Sequence, residues 1–327
     1  MKLATYRNGT PDGRLVVVAR DGRTAASATV VAPNLLDALE RWAEAAPGLQ
    51  AISDRLNAGI HSAAFAFDAR ECMAPLPRCF QWCDASAFLN HGRLMQRAFN
   101  TEPVPDAATI PLMYQGASDD FLGPHDDVPM ADAALGIDFE GEFGVVLDSV
   151  PMGVTPAAAL ERVRLLVQIN DWSLRGLGPR EMKSGFGFLQ AKPSTSFAPL
   201  AVTPDELDGA WDQGRVKLAL NVEWNGAWFG HPSGADMDFS FGELITHAAR
   251  TRKLAAGAIV GSGTVSSPRE GVGSACIAER RVIEIIAQGS ASTGFMRYGD
   301  RVRMQAVDEH GDAPFGTIDQ RVIDPAA

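Results

Sequence analysis

The chain has 327 residues, of which 46% are hydrophobic and 21% are charged, a balance that is ordinary for a folded globular protein. This composition argues against a disordered chain, a collagen and a coiled coil, and no apolar run reaches the roughly 18 residues of a membrane helix. The 40 acidic and 29 basic residues leave a net charge of −11, which would repel the phosphates of a nucleic acid.

The start of the chain and its cysteines favour a cytoplasmic protein. The first residues, MKLATYRNGTPDG, lack the apolar stretch of a secretory signal. The four cysteines form no Cys-x-x-Cys pair, so free and mostly buried thiols in a reducing compartment are expected. They are Cys72, Cys79, Cys83 and Cys276.

Residues 1–72 are predicted to form a small N-terminal α+β domain. A β-branched run predicts a strand over 15–20, which ends in an Asp-Gly turn signal, and a second strand is expected over 28–31. Leucines and a tryptophan at helical spacing predict a helix over 35–46. A returning strand is expected over 63–68.

Residues 73–327 are predicted to form a larger, turn-rich domain that follows a proline-containing linker. A helical pattern covers about 85–99, and a strand is predicted over 137–147. The segment 155–169 begins as a helix and ends in apolar residues that could continue as a strand. Glycine-rich turns with short strands dominate from 215 onward, and the 32 glycines and 20 prolines suit this β architecture.

Several common catalytic motifs are missing from the sequence. It contains no Gly-x-Ser-x-Gly elbow, no Gly-x-Gly-x-x-Gly fingerprint, no Walker loop and no His-Glu-x-x-His. Their absence weakens the cases for a serine hydrolase, a nicotinamide enzyme, a P-loop ATPase and a zinc protease.

Three carboxylates alternate with apolar residues over 138–143. In a strand, Asp138, Glu140 and Glu142 would share one face, and Phe139 and Phe143 would share the other. Carboxylates placed so closely repel one another unless a cation or water compensates. The pattern therefore fits either a hard divalent metal bound through oxygen or an exposed polar face.

Asp84 and His91 are seven residues apart in a segment predicted to be helical. In a helix that starts at Asp84, about two turns would separate the two side chains and they would point the same way. They could then hold a metal-bound substrate next to a general base. The alternative is a helix cap and a packed histidine.

Two further segments carry candidate binding groups. Asp171 follows an apolar strand, and Arg175 and Lys192 supply positive charge that could stabilise a carboxylate or an oxyanion, although Asn-Asp is also a common turn pair. The glycines and hydroxyls of 261–266 and 273–279 would let backbone donors approach a ligand, or would simply form turns in a sheet.

Taken together and in order, these segments resemble the fumarylacetoacetate hydrolase family, both its fumarylacetoacetase-like and its acylpyruvase-like members. The ordered features are Asp-x6-His at 84–91, Asp-x-Glu-x-Glu at 138–142, Asn-Asp-Trp-Ser-x-Arg at 170–175, a lysine-containing loop at 192–199 and Gly-Thr-Val-Ser at 263–266. The resemblance implies a β-rich α+β fold: a mixed β-roll or sandwich core with a small N-terminal α+β domain, assembled as a homodimer.

The resemblance also implies the roles of individual residues. The metal, Mg2+ or else Ca2+ or Mn2+, would be bound by Asp84, Glu140, Glu142 and Asp171, with Ser196 nearby. The catalytic groups would be His91, which activates water, its partner Glu279, and Lys192 and Arg175, which stabilise negative charge. Substrate contacts would come from Tyr114, Thr264 and Ser86.

The function implied is hydrolysis of a carbon–carbon bond in a β-diketone, of the fumarylacetoacetate or acylpyruvate type met in aromatic amino acid catabolism. Ser86, Gly178 and Asn100 stand where fumarylacetoacetases resemble one another in having Tyr, Gln and Arg, so the substrate can differ from theirs. One alternative is a 2-oxo acid decarboxylase or isomerase on the same scaffold. A second is a non-catalytic, metal-stabilised binding domain.

Overall fold

The computed structural model describes residues 1–100, 102 and 104–326 of the chain. Within them, the strands are β1 (Lys2–Tyr6), β2 (Arg14–Val18), β3 (Thr24–Ser27), β4 (Phe65–Ala66), β5 (Trp82–Ala85), β6 (Met113–Gly116), β7 (Val128–Pro129), β8 (Ile137–Asp138), β9 (Gly141–Leu147), β10 (Val163–Asn170), β11 (Ser173–Leu174), β12 (Ser196–Phe197), β13 (Ala201–Val202), β14 (Trp211–Asp212), β15 (Arg215–Val216), β16 (Ala219–Trp224), β17 (Ala227–Gly230), β18 (Ile259–Gly261), β19 (Arg301–Val307) and β20 (Ile318–Ile323). The α-helices are α1 (Leu35–Glu40), α2 (Trp42–Asn57), α3 (Leu89–Phe99), α4 (Pro156–Leu160), α5 (Gly178–Ser184), α6 (Phe241–Ala248) and α7 (Ile277–Gln288).

A sheet of eleven strands contains both the N-terminal strands and the central strands of the main body. Its order is β4-β3-β2-β1-β13-β10-β9-β18-β5-β6, and β12 pairs with β10 beside this path. The strands β18 and β5 are parallel, and β18 is antiparallel to β9. The N-terminal strands join the others where β1 pairs with β13, with Leu3 opposite Ala201. Residues 1–72 therefore share a sheet with the main body, and their separation as a domain stays a prediction.

A second sheet of five strands, β17-β16-β19-β20-β7, supplies the other wall of the main core. Successive side chains of a strand point to opposite faces. Val145 of β9 accordingly belongs to the buried cluster that contains Leu220 and Met304 of the second sheet, whereas Val146 belongs to a different cluster. The central strands of the large sheet are thus covered on both faces.

Helices α1 and α2 cover the N-terminal strands. Asn34 caps α1 by accepting a hydrogen bond from the backbone N–H of Asp37 at 2.9 Å. Leu35 and Leu39 lie in the same buried cluster as Val17 of β2. This burial on both faces explains why the run LVVV is apolar at every position rather than at alternate ones.

The structure confirms the strand predicted over 15–20 as β2, whereas β1 was not predicted. The helix predicted over 35–46 is divided into α1 and α2 at Arg41, and α2 continues to Asn57. The strand predicted over 28–31 is wrong, because the chain reverses earlier and β3 spans Thr24–Ser27. The Ala19 N–H bonds to the carbonyl of Thr24 at 2.8 Å, which closes a short hairpin. The carbonyl of Ala28 then accepts the N–H of Val31, so this segment forms a turn.

The helix predicted over 85–99 is confirmed only for α3, and the placement of Asp84 at a helix start is wrong. Asp84 lies in β5, where it pairs with Gly261 of β18 on one side and Tyr114 of β6 on the other. Pairing with two strands outweighs the helical pattern of the local sequence. The two-turn spacing between Asp84 and His91 therefore does not exist.

The remaining elements follow the predictions with two differences. The strand over 137–147 is confirmed but interrupted, because β8 pairs with β11 and β9 pairs with β10. The segment 155–169 is confirmed as the short helix α4 followed by β10. The region after 215 contains helices α6 and α7 as well as strands, and α7 begins after a cysteine cap that the glycine-rich pattern did not reveal.

The predicted strand-rich α+β architecture is confirmed. In the described ranges, no helix combines the length and the apolar composition of a membrane span. The four cysteines are free, as expected, and three of them are buried while Cys79 is half-buried.

Candidate metal centre and active site

Four adjacent strands bring three acidic residues to one place. Asp84 lies in β5 next to β18, Glu142 lies in β9, and Asp171 follows the end of β10. The carboxyl oxygens of these three residues lie within 4.8 Å of one another. All three side chains are buried. We call this group the acidic cluster.

The charges of the acidic cluster are poorly compensated by the protein itself. Both carboxyl oxygens of Glu142 are buried and have no hydrogen-bond partner among the described residues. Burial, with repulsion from Asp84 and Asp171, raises the pKa of Glu142 well above its usual value. Burial likewise raises the pKa of Asp84 to about 8, with a smaller contribution from Asp171.

Two glycines make room for Asp84. A methyl group added at Gly261 would lie 2.4 Å from the Asp84 Oδ1 atom and 2.3 Å from the ring of Trp82. Gly263 has a φ of 73° and donates its N–H to Asp84 Oδ1 at 3.0 Å. A larger residue at 261 would displace the carboxylate, and one at 263 would collide with the carbonyl oxygen of Ala85 at 2.2 Å, which explains the Gly-Ser-Gly sequence at 261–263.

Asp171 is held by three side chains. Thr195 donates its hydroxyl to Asp171 Oδ1 at 2.7 Å, and Lys192 Nζ donates to Oδ2 at 2.7 Å. The hydroxyl of Tyr114 also donates to Oδ2. Burial alone would lower the pKa of Lys192, but Asp171 and Glu140 outweigh it and raise it, so the ammonium stays charged.

Glu140 faces two cations instead of completing the acidic cluster. Its carboxylate accepts hydrogen bonds from Lys192 and from Arg175. Burial alone would raise the pKa of Glu140, but these two cations lower it to about 2. Arg175 Nε also donates to Asp138 Oδ2 at 2.8 Å, so the guanidinium bridges two buried carboxylates.

His91 and Glu279 form a hydrogen-bonded pair at the edge of the site. His91 lies in the first turn of α3, and its Nδ1 atom is 2.9 Å from Glu279 Oε2. The carboxylate is 1% exposed and favours the tautomer with the proton on Nδ1. That tautomer leaves Nε2 free to accept a proton.

The start of α7 orients Glu279 through its backbone. Asp138 accepts the N–H groups of Ile277 and Ala278 at 2.7 and 2.9 Å, and Cys276 Sγ accepts that of Glu279 at 3.3 Å. These bonds satisfy the first three N–H groups of the helix. Asp138 thereby connects α7 to Arg175 on the other side of the site.

The donor atoms of the acidic cluster fit a hard divalent cation. Magnesium, calcium and manganese prefer carboxylate oxygens, and all three members offer them. A cation there would also compensate the unpartnered oxygens of Glu142. Glu140, in contrast, has both oxygens bonded to Lys192 and Arg175.

The structure brings most of the predicted site residues together. Asp84, Glu142, Asp171, Lys192 and Tyr114 are in mutual contact or in the same cluster. The predicted partner of His91 is in place, as described above. The predicted positions therefore converge on one buried site, although their roles stay predictions.

Three predicted residues have other contacts or none described at the cluster. The hydroxyl of Ser196 accepts the indole N–H of Trp172 at 2.9 Å, and the adjacent Thr195 contacts Asp171 instead. Ser86 is half-buried, and its backbone N–H bonds to the carbonyl of Leu112. Thr264 is buried directly after the Gly263 donor. Substrate contact by Ser86 and Thr264 stays a prediction.

Two residues of the site were missed in the sequence. Nothing in the local pattern separates Thr195 from Ser196, because both are hydroxyl residues entering a strand. Cys276 was detectable, since Cys-Ile-Ala-Glu has the spacing of a capping box with a thiol in place of the usual hydroxyl.

Comparison with family models gives two matches that together span nearly the whole chain. A model described as fumarylacetoacetate (FAA) hydrolase C-terminal matches residues 81–323. A model described as fumarylacetoacetase N-terminal domain 2 matches residues 1–78. The second match falls on the strands and helices that precede β5.

Comparison with curated proteins gives more distant relatives. A candidate hydrolase of Burkholderia ambifaria is 26% identical over 165 residues, which are 50% of this chain and 55% of that protein. The match thus extends over about half the length of the curated relative.

Solved structures match over almost the full length. Fumarylacetoacetate hydrolase from Exiguobacterium antarcticum is 19% identical with a TM-score of 0.67, and the match covers 99% of both chains. Maleylpyruvate hydrolase from Sphingobium sp. SYK-6, solved with manganese(II) and pyruvate, is 16% identical with a TM-score of 0.65 and 99% coverage of both. A 5-carboxymethyl-2-hydroxymuconate delta-isomerase from Mycobacterium smegmatis is 18% identical with a TM-score of 0.60 and the same coverage. At these identities the likeness concerns the fold.

Proposed function

Because the chain belongs to the fumarylacetoacetate hydrolase family, we propose that it is a metal-dependent hydrolase that cleaves a carbon–carbon bond in an acylpyruvate or a related β-diketone. One observation carries the proposal: a histidine paired with a buried carboxylate lies close enough to Glu140 to help lower its pKa, and Lys192 joins Glu140 to Asp171 of the buried acidic cluster. A structural metal site would need the acidic cluster but not the histidine.

Asp84, Glu142 and Asp171 are the residues that would hold the cation, which we propose to be Mg2+ or Mn2+. When bound, such a cation supplies a Lewis acid that polarises the oxygens of a dicarbonyl substrate. Thr195 and Lys192 fix the orientation of Asp171, and Gly263 fixes that of Asp84. These contacts keep the carboxylates together without the cation.

The histidine acts as the general base for water. Glu279 accepts the Nδ1 proton of His91, which leaves Nε2 to take a proton from a water molecule. The resulting hydroxide attacks the carbonyl carbon of the acyl group. The buried carboxylate of Glu279 then stabilises the imidazolium that forms.

Lys192 and Arg175 stabilise the negative charge that develops on the substrate. Lys192 holds the alkoxide formed by hydroxide attack, since its ammonium is fixed by Glu140 and Asp171. The carbon–carbon bond then breaks, and its electron pair stays with the pyruvate carbon. His91 returns its proton to that carbon, so one water yields one carboxylic acid and one 2-oxo acid.

A second candidate function is isomerisation or decarboxylation of a 2-oxo acid. The delta-isomerase of known structure has a similar fold, so this fold is compatible with isomerisation as well as hydrolysis. The pairing of His91 with a buried carboxylate favours the hydrolase over a decarboxylase, because decarboxylation requires no water-activating base. An isomerase would use the same histidine to move a proton, so the products separate these two functions.

The test is turnover of acetylpyruvate, longer acylpyruvates and fumarylacetoacetate with Mg2+ or Mn2+, followed by the loss of enol absorbance. Hydrolysis releases a carboxylic acid and no carbon dioxide, whereas decarboxylation releases carbon dioxide. Loss of absorbance with neither product indicates isomerisation. Tight metal binding without turnover of any of these compounds would contradict an enzymatic role and favour a binding domain.

We also propose that the chain assembles as a homodimer, as the family resemblance implies. Light scattering on the purified protein is expected to give twice the mass of one chain over a range of concentrations. A mass of one chain at micromolar concentration would contradict the dimer and leave the catalytic proposal unaffected.

A further inference from the structure

Resting on the proposed function, we propose that the far end of the substrate is apolar and uncharged and that Phe188 selects it. The chain would then act on acylpyruvates with an alkyl or aryl tail in preference to those with a second carboxylate. The inference depends on the charges around the acidic cluster and on the aromatic wall beside it.

The charges of the site leave no cation for a second substrate carboxylate. Six buried carboxyl groups surround it: Asp84, Asp138, Glu140, Glu142, Asp171 and Glu279. Among the described residues, their permanent cationic partners are Lys192 and Arg175, and each already contacts two of these carboxylates. Even with a divalent cation the site holds six negative groups against four positive charges. The 2-oxo acid end of a substrate can meet these positive charges, but a distal carboxylate would add repulsion.

The wall beside the acidic cluster is aromatic. The rings of Phe188 and Tyr114 pack edge to face, with centroids 5.1 Å apart and an interplanar angle of 85°. Tyr114 in turn donates its hydroxyl to Asp171, and Lys192 Nζ lies 5.6 Å from its ring centroid. The ring of Tyr114 therefore lies between Phe188 and the Lys192 ammonium, and Phe188 is only half-buried. An apolar substrate tail would complete its burial.

The same segment fixes Phe188 relative to Lys192. The carboxylate of Glu181 accepts the backbone N–H groups of Leu189, Gln190 and Ala191 at 3.0, 2.8 and 3.1 Å. These residues connect Phe188 directly to Lys192. A single carboxylate thus holds both the aromatic wall and the catalytic ammonium in place.

Gly178 leaves space beside this wall, and the adjacent helix carries its cations at exposed positions. A methyl group added at Gly178 would lie 4.0 Å from the Cε1 atom of Phe188, which is an ordinary van der Waals contact, so the glycine leaves open space beside the ring. The cations of α5, Arg180 and Lys183, lie at exposed positions of that helix. Phe186, on the same loop, is 98% exposed and serves as a matched aromatic control.

The experiment compares two substrates of equal acyl length, butanoylpyruvate and succinylpyruvate, which differ by a terminal methyl or carboxylate. With Mg2+, wild-type protein is expected to favour butanoylpyruvate by at least about 10-fold in kcat/KM, a usual discrimination for an apolar pocket. Phe188→Ala should lose most of this preference. Phe186→Ala should keep it, and Phe188→Arg should shift it toward succinylpyruvate.

A wild-type preference for succinylpyruvate would overturn the inference and leave the hydrolase intact. Equal losses in Phe188→Ala and Phe186→Ala would overturn the assignment to Phe188. If none of the diketones is cleaved, the proposed function fails, and calorimetry with 2-oxohexanoate and 2-oxoadipate in the presence of Mg2+ still tests the apolar tail. Tighter binding of 2-oxohexanoate supports it; tighter binding of 2-oxoadipate, or no binding of either, refutes it.

Discussion

Glu142 stands near the start of β9 with both carboxyl oxygens buried and without a hydrogen-bond partner in the described part of the chain. Such a group is costly to bury unless a cation compensates it. Its neighbours Asp84 and Asp171 are engaged by backbone and side-chain donors, which Glu142 lacks. The metal affinity of the site is therefore expected to depend strongly on this residue.

Glu142→Gln should weaken Mn2+ or Mg2+ binding by at least about 10-fold, because one charged oxygen ligand becomes a neutral amide. Isothermal titration calorimetry measures this directly. The metal-free variant should be at least as stable as the wild type, since repulsion with Asp84 and Asp171 is removed. Glu309→Gln, at a side chain that is 87% exposed, is the matched control. Unchanged affinity in Glu142→Gln would show that the cation binds elsewhere.

His91→Ala should lower diketone hydrolysis by about 100-fold or more, the usual contribution of a general base. Metal binding should stay intact, because His91 contacts Glu279 and not the acidic cluster. Glu279→Gln keeps an oxygen for the Nδ1–H group and should lose less. The measurements are kcat and a metal titration on the same preparations. Hydrolysis at near wild-type rate in His91→Ala would exclude the histidine as the base.

At the scale of elements, α7 and the strand ends are joined by one buried carboxylate. Asp138 closes β8, accepts the first two N–H groups of α7 and binds Arg175. An anion at a helix N-terminus is stabilised by the N–H groups and by the helix dipole. Arg175 also donates to Glu140. A substitution at Asp138 is therefore expected to disturb both the start of α7 and the position of Arg175 beside Glu140.

Asp138→Asn should lower the free energy of unfolding by about 3 kcal/mol. Arg175 would lose a buried anionic partner, and the single oxygen of the amide cannot accept hydrogen bonds from Arg175, Ile277 and Ala278 as the two carboxylate oxygens do. Denaturant unfolding measures the change. Asp148→Asn, which alters the partly exposed pair with Arg164, should cost no more than about 1 kcal/mol. Equal costs for the two substitutions would contradict the connecting role of Asp138.

Across the whole molecule, the acidic cluster is expected to make stability depend on pH and on a divalent cation. Because burial raises the pKa of Asp84 to about 8, with Glu142 raised as well, the folded metal-free protein retains protons that the unfolded chain releases above about pH 4. Where the folded state binds more protons, stability falls as pH rises. A divalent cation displaces those protons and reverses the effect.

The metal-free protein is therefore expected to lose thermal stability between about pH 5.5 and pH 8, and added Mg2+ should restore more of it at the higher pH. Thermal unfolding with EDTA or with Mg2+ across this range checks the prediction. Glu142→Gln should flatten the dependence seen with EDTA. Stability that rises with pH in EDTA would mean that these carboxylates are ionised in the metal-free protein.

Much of the architecture was predictable because local sequence and tertiary environment agree. The apolar run of β2, the start of α1 at Leu35 and the switch from α4 to β10 all appear as predicted. The prediction of a helix around Asp84 was wrong because this segment pairs with β18 and β6. Such strand pairing is a long-range interaction that the local helical pattern cannot reveal. Helix α7 was missed for a different reason: its local capping signal has a thiol in place of the usual hydroxyl.

The order of residues along the chain establishes which chemical groups are available: the acids, the histidine, the lysine and the arginine, in an order that resembles one enzyme family. Which carboxylates face a cation and which do not follows from the folded arrangement alone. Glu140 faces Lys192 and Arg175, while Glu142 faces Asp84 and Asp171 without a donor of its own. Residue types and spacing are properties of the chain, but the compensation of each charge depends on which distant strands meet, because electrostatic forces act through space.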